Sequence, residues 1–261
     1  MANDLKIRSE QIMRLLLRSG SATIEQILDE VGSSAPSIRR DLAQLELRGL
    51  IRRTHGGAEL VEPLLYEPFR YDSSFQQREQ RWAGEKRRIG LAAADLVQEN
   101  ETIGLTAGTT TTAIGRALRH RRNLQIVTNA INIGMELCNQ PGIRTLMTGG
   151  TVPWAWSFSL TGTAALDFME NIYLDRVFLS ITGLDAERGV TTLEADEAQL
   201  FRRMQEHSRH VVVVADSSKF GKVSPAFVCA IRKINLIITD TGASDELIAP
   251  FLEQGVQVQR V

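Results

Sequence analysis

The sequence predicts an α/β protein of two domains: a small N-terminal domain of helices with a short hairpin, then a larger one built on an open, mainly parallel sheet. Three observations predict it. At 261 residues the chain exceeds a lone small module and fits a small domain joined to a medium one. Its first sixty residues repeat apolar side chains at spacings of three and four, the period of an amphipathic helix. Farther on, short apolar runs alternate with helical patterns, as strands do when helices cover both faces of their sheet.

In the first domain Ile12, Leu15, Leu16, Ile24, Ile27, Leu28, Val31, Ile38, Leu42 and Leu45 carry the helical period and supply a three-helix core. Gly20 interrupts the first helix and Gly32 ends the second. Ser34 is placed to cap a third helix, from about Ala35 to Arg48, with Pro36 tolerated in its first turn. The stretch Gly49-Leu-Ile-Arg-Arg-Thr-His-Gly-Gly-Ala58 reads as a tight hairpin whose glycine pair can take positive φ. From Glu62 to Phe75 prolines, serines and isolated aromatics replace any sustained period. The expected division is therefore a domain over 1–60, a linker over 61–75 and a second domain over 76–261. The second domain opens with a helix from Trp82 to Val97. Its strands are expected at Thr102–Thr106, Leu124–Val127, Arg144–Met147, Arg176–Ile181, Val211–Ala215, Leu236–Thr239 and Val256–Val261.

Composition sets the bounds on function. With 43% hydrophobic and 23% charged residues the chain can bury a substantial core, which excludes a largely disordered protein. A net charge of −1 excludes a surface that is basic throughout, so affinity for nucleic acid has to come from a local patch. Cys138 and Cys229 sit in apolar contexts without C-x-x-C spacing. That argues against a disulfide framework or a zinc site, and predicts buried thiols in a reducing compartment. Charges between Met1 and Arg8 interrupt any signal-peptide-like stretch, and no later run approaches the ~20 apolar residues of a membrane span. The expectation is a cytoplasmic protein with no membrane partner, no metal and no cofactor.

The local patch exists. Ser37, Arg39 and Arg40 lie near the start of a helix whose opposite face is Ile38, Leu42 and Leu45. Such a helix can anchor to its domain while its first turns present donors to base edges and phosphates. Across residues 35–57 the positive side chains are Arg39, Arg40, Arg48, Arg52 and Arg53, with His55 as a further donor, against Asp41 and Glu46. An isolated charge run of this kind is usually a solvated helix face. Two preceding helices and a basic hairpin shift the reading toward double-stranded DNA, with the hairpin lying against the backbone as a wing.

A second pattern belongs to the larger domain. Leu105-Thr-Ala-Gly-Thr-Thr-Thr-Thr112 follows a predicted strand and opens a predicted helix, Thr112–Leu118. Small residues let backbone N–H groups approach an anion, hydroxyls add donors, and the helix terminus adds positive potential. Asn129, Gly150, Asp185 and Lys219 stand at other strand ends, where the crevice of an open α/β sheet forms. Lys219 would pair with an anionic group, and Asn129, Asp185 and Glu197 would bond hydroxyls. Residues of these types also act as caps and turn formers; their common edge favours a site.

These residues carry a resemblance. The run Ser-x-x-Ser-Ile-Arg-Arg-Asp-Leu with Gly-Leu-Ile-Arg-Arg-Thr-His-Gly-Gly-Ala resembles the winged helix-turn-helix of the DeoR family of bacterial sugar-metabolism repressors, over about residues 5 to 60. It implies DNA contact by Ser34, Ser37, Arg39 and Arg40 and a wing carrying Arg52, Arg53, His55 and Gly56. Pro36 departs from the pattern, since many members carry Glu or another helix former there. The Ala-Gly-Thr-Thr-Thr turn, Thr128-Asn129, Thr148-Gly-Gly150, Gly189-Val-Thr-Thr192 with Glu197-Ala198, and Ala215-Asp-Ser-Ser-Lys-Phe-Gly221 resemble the family's C-terminal sensor domain. That domain is similar in fold to ribose-5-phosphate isomerase and the CoA-transferase group. It implies a phosphorylated sugar effector, with Gly108, Thr109, Thr110 and Thr111 on its phosphate and Asn129, Gly150, Asp185, Glu197 and Lys219 around the sugar.

The expected function is thus a repressor of a carbohydrate-utilisation operon. A homo-oligomer, dimer or tetramer, binds operator DNA and is released by the phosphosugar. The rival is a phosphosugar isomerase-type enzyme with an appended DNA-binding domain, for which Asp185, Glu194, Asp196 and Glu197 supply carboxylates. Against it, Thr182 stands where the isomerase's Gly-Ala-Asp segment places an aspartate, and the glycine-rich run that follows there is not evident. A third reading, a winged helix that holds a protein partner instead of DNA, is disfavoured by the basic wing. Trp154, Trp156 and Phe158 flank the crevice and read as core or interface, or as a wall of the sugar site.

Overall fold

A computed structural model describes residues 2–48, 50–61, 73–153 and 158–261 of the chain. The chain divides into two compact units, Met1–Tyr66 and Glu67–Val261. The expected linker falls mainly on residues 62–72, outside the described residues. Its last three positions lie in helix α4 (Ser73–Gln80). Phe75 is buried against Phe158, and that packing overrides the weak helical pattern of its polar neighbours.

The first unit is built from α1 (Ala2–Ser19), β1 (Ser21–Thr23), α2 (Ile24–Val31), α3 (Ala35–Leu47), β2 (Ile51–Thr54) and β3 (Gly57–Leu60). Gly20, at φ +79°, ends α1 with its N–H on the Leu16 carbonyl, and Gly32, at φ +63°, ends α2 in the same way. Thr23 caps α2 in a capping box: its hydroxyl accepts from the Gln26 N–H while the Gln26 side chain accepts from the Thr23 N–H. Ile12, Leu16, Ile27, Ile38, Leu42 and Leu45 are buried, as the period predicts, and Met13, Leu50, Ile51 and Ala58 complete the core.

Two local readings are corrected. The hairpin has a third strand, because β1 pairs antiparallel with β3 in the order β1-β3-β2. The glycines of the wing do not adopt positive φ. Gly57 is needed for proximity instead: a Cβ there would meet the Ala22 carbonyl oxygen at 2.0 Å. Three residues of β1 are too few for a visible alternation, so nothing in the sequence announced either feature.

In the second unit all seven expected runs are strands of one parallel sheet: β4 (Thr102–Leu105), β5 (Leu124–Thr128), β6 (Ile143–Met147), β7 (Leu174–Ser180), β10 (Ser208–Val214), β12 (Leu236–Thr239) and β13 (Gln257–Arg260). Their order is β13-β12-β10-β7-β4-β5-β6. The chain builds outward from β4 through β5 to β6, then returns to the other side of β4 with β7. The switch point, where an open sheet leaves a crevice, is therefore between β4 and β7. Helices α5 (Ala83–Asp95), α6 (Thr109–Leu118), α7 (Ile131–Leu137), α8 (Thr163–Met169), α9 (Ala195–Glu206) and α10 (Asp245–Glu253) complete the layers. A small antiparallel sheet in the order β11-β9-β8, from β8 (Gly183–Asp185), β9 (Gly189–Thr192) and β11 (Ala226–Cys229), was not expected.

Cys229 is buried, and burial pushes its thiol up to about 12. Cys138 is exposed, contrary to expectation, because it follows the last turn of α7 on the solvent side. Among the described residues no helix is long and apolar enough to cross a membrane, and no group of three or more His, Cys, Asp or Glu could hold a metal ion. Trp154 and Trp156 lie outside the described residues; Phe158 is buried.

Candidate functional site

Helix α3 buries Ile38, Asp41, Leu42 and Leu45 and leaves Arg39, Arg40 and Gln44 exposed. Asp41 is buried because Arg8 of α1 reaches it, with Nε donating at 2.7 Å. Fixing Asp41 to α1 turns the neighbouring Arg39 and Arg40 to the opposite, solvent side. Neither has an ion-pair partner among the described residues. Ser34 occupies the N-cap position, yet its hydroxyl lies 3.0 Å from the Ser37 hydroxyl and bonds no helix N–H. Pro36 explains this, because it removes one of the two N–H groups an N-cap side chain normally reaches. Gln44 was missed by sequence reasoning. Its signal is the helical spacing from Ser37 and Arg40, which puts the three in one row, and its amide is suited to reading adenine.

In the wing, Arg52 faces Glu59 across the β2–β3 pair and donates to it at 2.5 Å. Arg53 donates to Glu46 of α3 through its backbone N–H at 3.0 Å and its Nε at 2.6 Å. These bonds hold the Glu46 carboxyl below its usual range, the backbone N–H foremost. The wing is thereby tied to the helix. His55 and Gly56 form the exposed turn between β2 and β3.

The glycine–threonine turn after β4 lies at the switch point. Helix α6 starts at Thr109, three residues earlier than expected, with Gly108 as its N-cap. A Cβ on Gly108 would meet the Ser180 Oγ at 2.1 Å, so only glycine lets this turn pass the end of β7. The Thr111 and Thr112 hydroxyls donate to the Gly108 carbonyl at 2.9 and 2.7 Å, which fixes the turn with the helix terminus open. Thr110 and Thr111 are buried, while Gly108 and Thr109 are half-buried.

Asn129 buttresses the turn. It is fully buried; its Oδ1 accepts from the Ala107 N–H at 2.8 Å, and its Nδ2 donates to the Ser159 Oγ at 2.9 Å and to the Leu160 carbonyl at 3.3 Å. The Ser159 hydroxyl bonds in turn to Glu197, which also accepts from Thr192 at 3.4 Å. A continuous hydrogen-bonded chain thus runs from the glycine–threonine turn to Glu197. Burial pushes the Glu197 carboxyl up, against the two hydroxyls that favour its ionised form. Ser159 was missed, and no sequence signal marked it, since its partners are 30 or more residues away.

Beyond β10, Asp216 caps the short turn Ser217–Lys219. Lys219, beside Asp216, feels Lys222, Arg81 and Arg78; burial lowers its pKa. Lys86 of α5 faces the same group, buried, with its ammonium donating to the carbonyls of Arg78 and Arg81 (the latter at 2.7 Å). Burial pushes it down to about 8. Arg78, Arg81 and Lys86 were also missed, since they precede the strands that marked the crevice. Two predicted residues have other local roles. The Asp185 carboxylate accepts from the N–H groups of Glu187 and Arg188 and closes the β8–β9 turn. Gly150, at φ +113°, packs on the Thr161 carbonyl, where a Cβ would come within 2.3 Å.

Comparison with known proteins places both halves. Residues 8–63 match the model of the DeoR-like helix-turn-helix domain, and residues 82–241 match that of the DeoR C-terminal sensor domain. The chain is 32% identical over 252 residues to the HTH-type transcriptional regulator GolR of Listeria innocua, covering 97% of each. It is 30% identical to the glycerol-3-phosphate regulon repressor of Escherichia coli K12, again covering 97% of each, and 36% identical to the regulator GlpR of Haloferax volcanii over 89% of each. Among solved structures, ribose 5-phosphate isomerase from Plasmodium falciparum resembles the chain with a TM-score of 0.39 at 15% identity over 51% of each. With both domain models matched in order and relatives similar from end to end, the chain belongs to the DeoR family of DNA-binding transcriptional regulators.

Proposed function

We propose that this regulator represses a carbohydrate-utilisation operon and leaves its operator when a phosphorylated sugar binds at the C-terminal edge of the parallel sheet. The observation that carries this reading is the Gly108–Thr111 turn. It is a helix N-terminus at the switch point, with buried threonine hydroxyls and no room for a side chain at its first residue. Phosphate suits it in charge and in donor geometry. Lys219, Glu197 and the Asn129–Ser159 pair lie around the same edge to hold the rest of the ligand. A symmetric oligomer reading two half-sites is the arrangement that makes repression sensitive to the placement of the N-terminal units.

Ligand and DNA are linked: a sugar that favours a conformation of poor DNA geometry lowers operator affinity by the same factor that DNA lowers its own. Calorimetry of the full chain with ribose 5-phosphate, fructose 1-phosphate, glucose 6-phosphate and glycerol 3-phosphate, each beside its unphosphorylated parent, tests the site. A phosphorylated compound binds and its parent does not; equal binding of the two would remove the anion turn from the account.

On this reading the regulator performs no isomerisation. Thr182, at the position of the isomerase aspartate, spends its hydroxyl on Ser224 (2.8 Å) and the Thr191 carbonyl (3.4 Å), so no carboxylate stands there to move a proton. Aldose–ketose interconversion of the same compounds at enzymatic rates would reverse this conclusion.

A further inference from the structure

We propose that helix α4 couples the sensor crevice to the DNA-binding unit, with Glu79 as the positioning residue that fastens it to the anion-binding helix. This rests on the reading of the crevice as an effector site. Helix α4 is the first described element after residues 62–72, the stretch through which the chain passes from one unit to the other. Any tilt or release of α4 is therefore delivered to that stretch by the backbone itself.

Among the described residues, three attachments hold α4, and each leads to a different part of the crevice. Glu79 Oε1 lies 2.9 Å from Arg116 Nη1; Arg116 stands two turns along α6 from Thr109, the first residue of the anion turn, and also grips the buried Glu136 of α7 at 3.0 Å. Phe75 packs edge-on against Phe158 with ring centroids 4.8 Å apart. Phe158 directly precedes Ser159, the residue that joins Asn129 to Glu197. At the far end, Lys86 donates to the carbonyls of Arg78 and Arg81, the last turn of α4 and the residue after it, while facing Asp216 and Lys219.

The arrangement makes α4 responsive to charge. An anion at the start of α6, or beside Lys219, changes the balance at both of its polar attachments. It pulls on the helix that carries Arg116, and it competes with backbone carbonyls for the Lys86 ammonium. Coupling between distant sites needs an element whose position both sites bias. Helix α4 is bonded to one site and joined by the chain to the other. A helix that merely filled space would not need its two polar attachments to end at the anion helix and at the Lys219 cluster.

The test uses the full chain, its operator as a labelled duplex, and the four phosphorylated compounds named above. Operator affinity is measured by fluorescence anisotropy with and without each compound, and compound affinity by calorimetry, for wild type, Glu79→Gln and Phe75→Leu. Thermal denaturation identifies which variants are folded. The account expects the compound that binds wild type to bind Glu79→Gln within about threefold, while the effector-induced change in operator affinity falls from about tenfold or more to under about threefold. Phe75→Leu, which keeps an apolar side chain but loses the ring contact, behaves in the same direction and serves if Glu79→Gln does not fold. Folded variants that still release DNA as wild type does would overturn the role of α4 and leave the effector reading standing. A wild-type protein whose operator affinity no compound alters would overturn both.

Discussion

Gly108 has no room for a side chain. An alanine there sets its Cβ 2.1 Å from the Ser180 Oγ, and overpacking of that kind costs about 1–3 kcal/mol, enough to cut ligand affinity about tenfold. Gly108→Ala is expected to bind the phosphosugar about tenfold more weakly in calorimetry while keeping wild-type affinity for operator DNA in the absence of ligand. Arg40 is its proposed counterpart for DNA. Arg40→Ala is expected to weaken operator and unrelated duplexes alike and to lower the slope of log affinity against log salt by about 1. Retention of the wild-type slope would remove Arg40 from the phosphate contacts.

Lys86 adds a pH signature. Burial holds its pKa near 8 rather than the ordinary 10.5, Asp216 and Glu79 opposing the shift and Lys219 and Arg78 adding to it. The folded protein therefore disfavours the ammonium. That cost is present in full below pH 8 and is relieved as pH rises from 8 toward 10.5, so this group's contribution to stability improves through that window. A bound anion favours the ammonium and raises the pKa. Effector affinity should fall as pH rises through about 8, and binding there should take up a proton. Calorimetry in two buffers of different ionisation enthalpy reads the uptake, and identical heats would set the anion apart from Lys86.

At the scale of elements, α3 and the wing act together, because Arg53 is bonded to Glu46 and Arg52 to Glu59. Their guanidiniums are held in place by these ion pairs, and both remain substantially exposed. The helix itself rests on its apolar face. Leu42 is 1% exposed, so Leu42→Ala should destabilise the N-terminal unit by about 2–5 kcal/mol in a denaturation measurement, with the C-terminal transition unchanged. A single shifted transition would mean that the units unfold together.

Long, strongly patterned elements were legible in the sequence. The seven parallel strands announce themselves as apolar runs because helices cover the sheet on both faces, and α3 does so through its i, i+3, i+4 core positions. What escaped is short or half-polar. Strands β1, β8 and β9 have three or four residues each, and α4 has a polar sequence pinned by one buried aromatic, Phe75. In these segments tertiary contact outweighs local preference.

For the whole molecule, the DNA-binding candidates are contiguous in sequence and are brought together on one helix and one hairpin. The crevice is different. Its turn at Gly108 was legible because a strand, a glycine and a helix terminus follow one another. Ser159, Lys86, Arg78 and Arg81 were not, since only the strand order β10-β7-β4 and the placement of α4 over α5 and α6 collect them. Asp185 had the right residue type at the right edge, yet its carboxylate is spent on a hairpin turn. The division of labour we propose is an arginine-bearing helix and wing that hold DNA, and an anion-binding edge that releases it.

That claim is tested most directly by titrating the four phosphorylated compounds into a preformed complex of the full chain with its operator at fixed salt. At least one of them is expected to lower operator affinity by about tenfold or more, its unphosphorylated parent is not, and Gly108→Ala is expected to need about tenfold more of the compound for the same release. A compound that bound the crevice and tightened the complex, or release that persisted unchanged in Gly108→Ala, would contradict it.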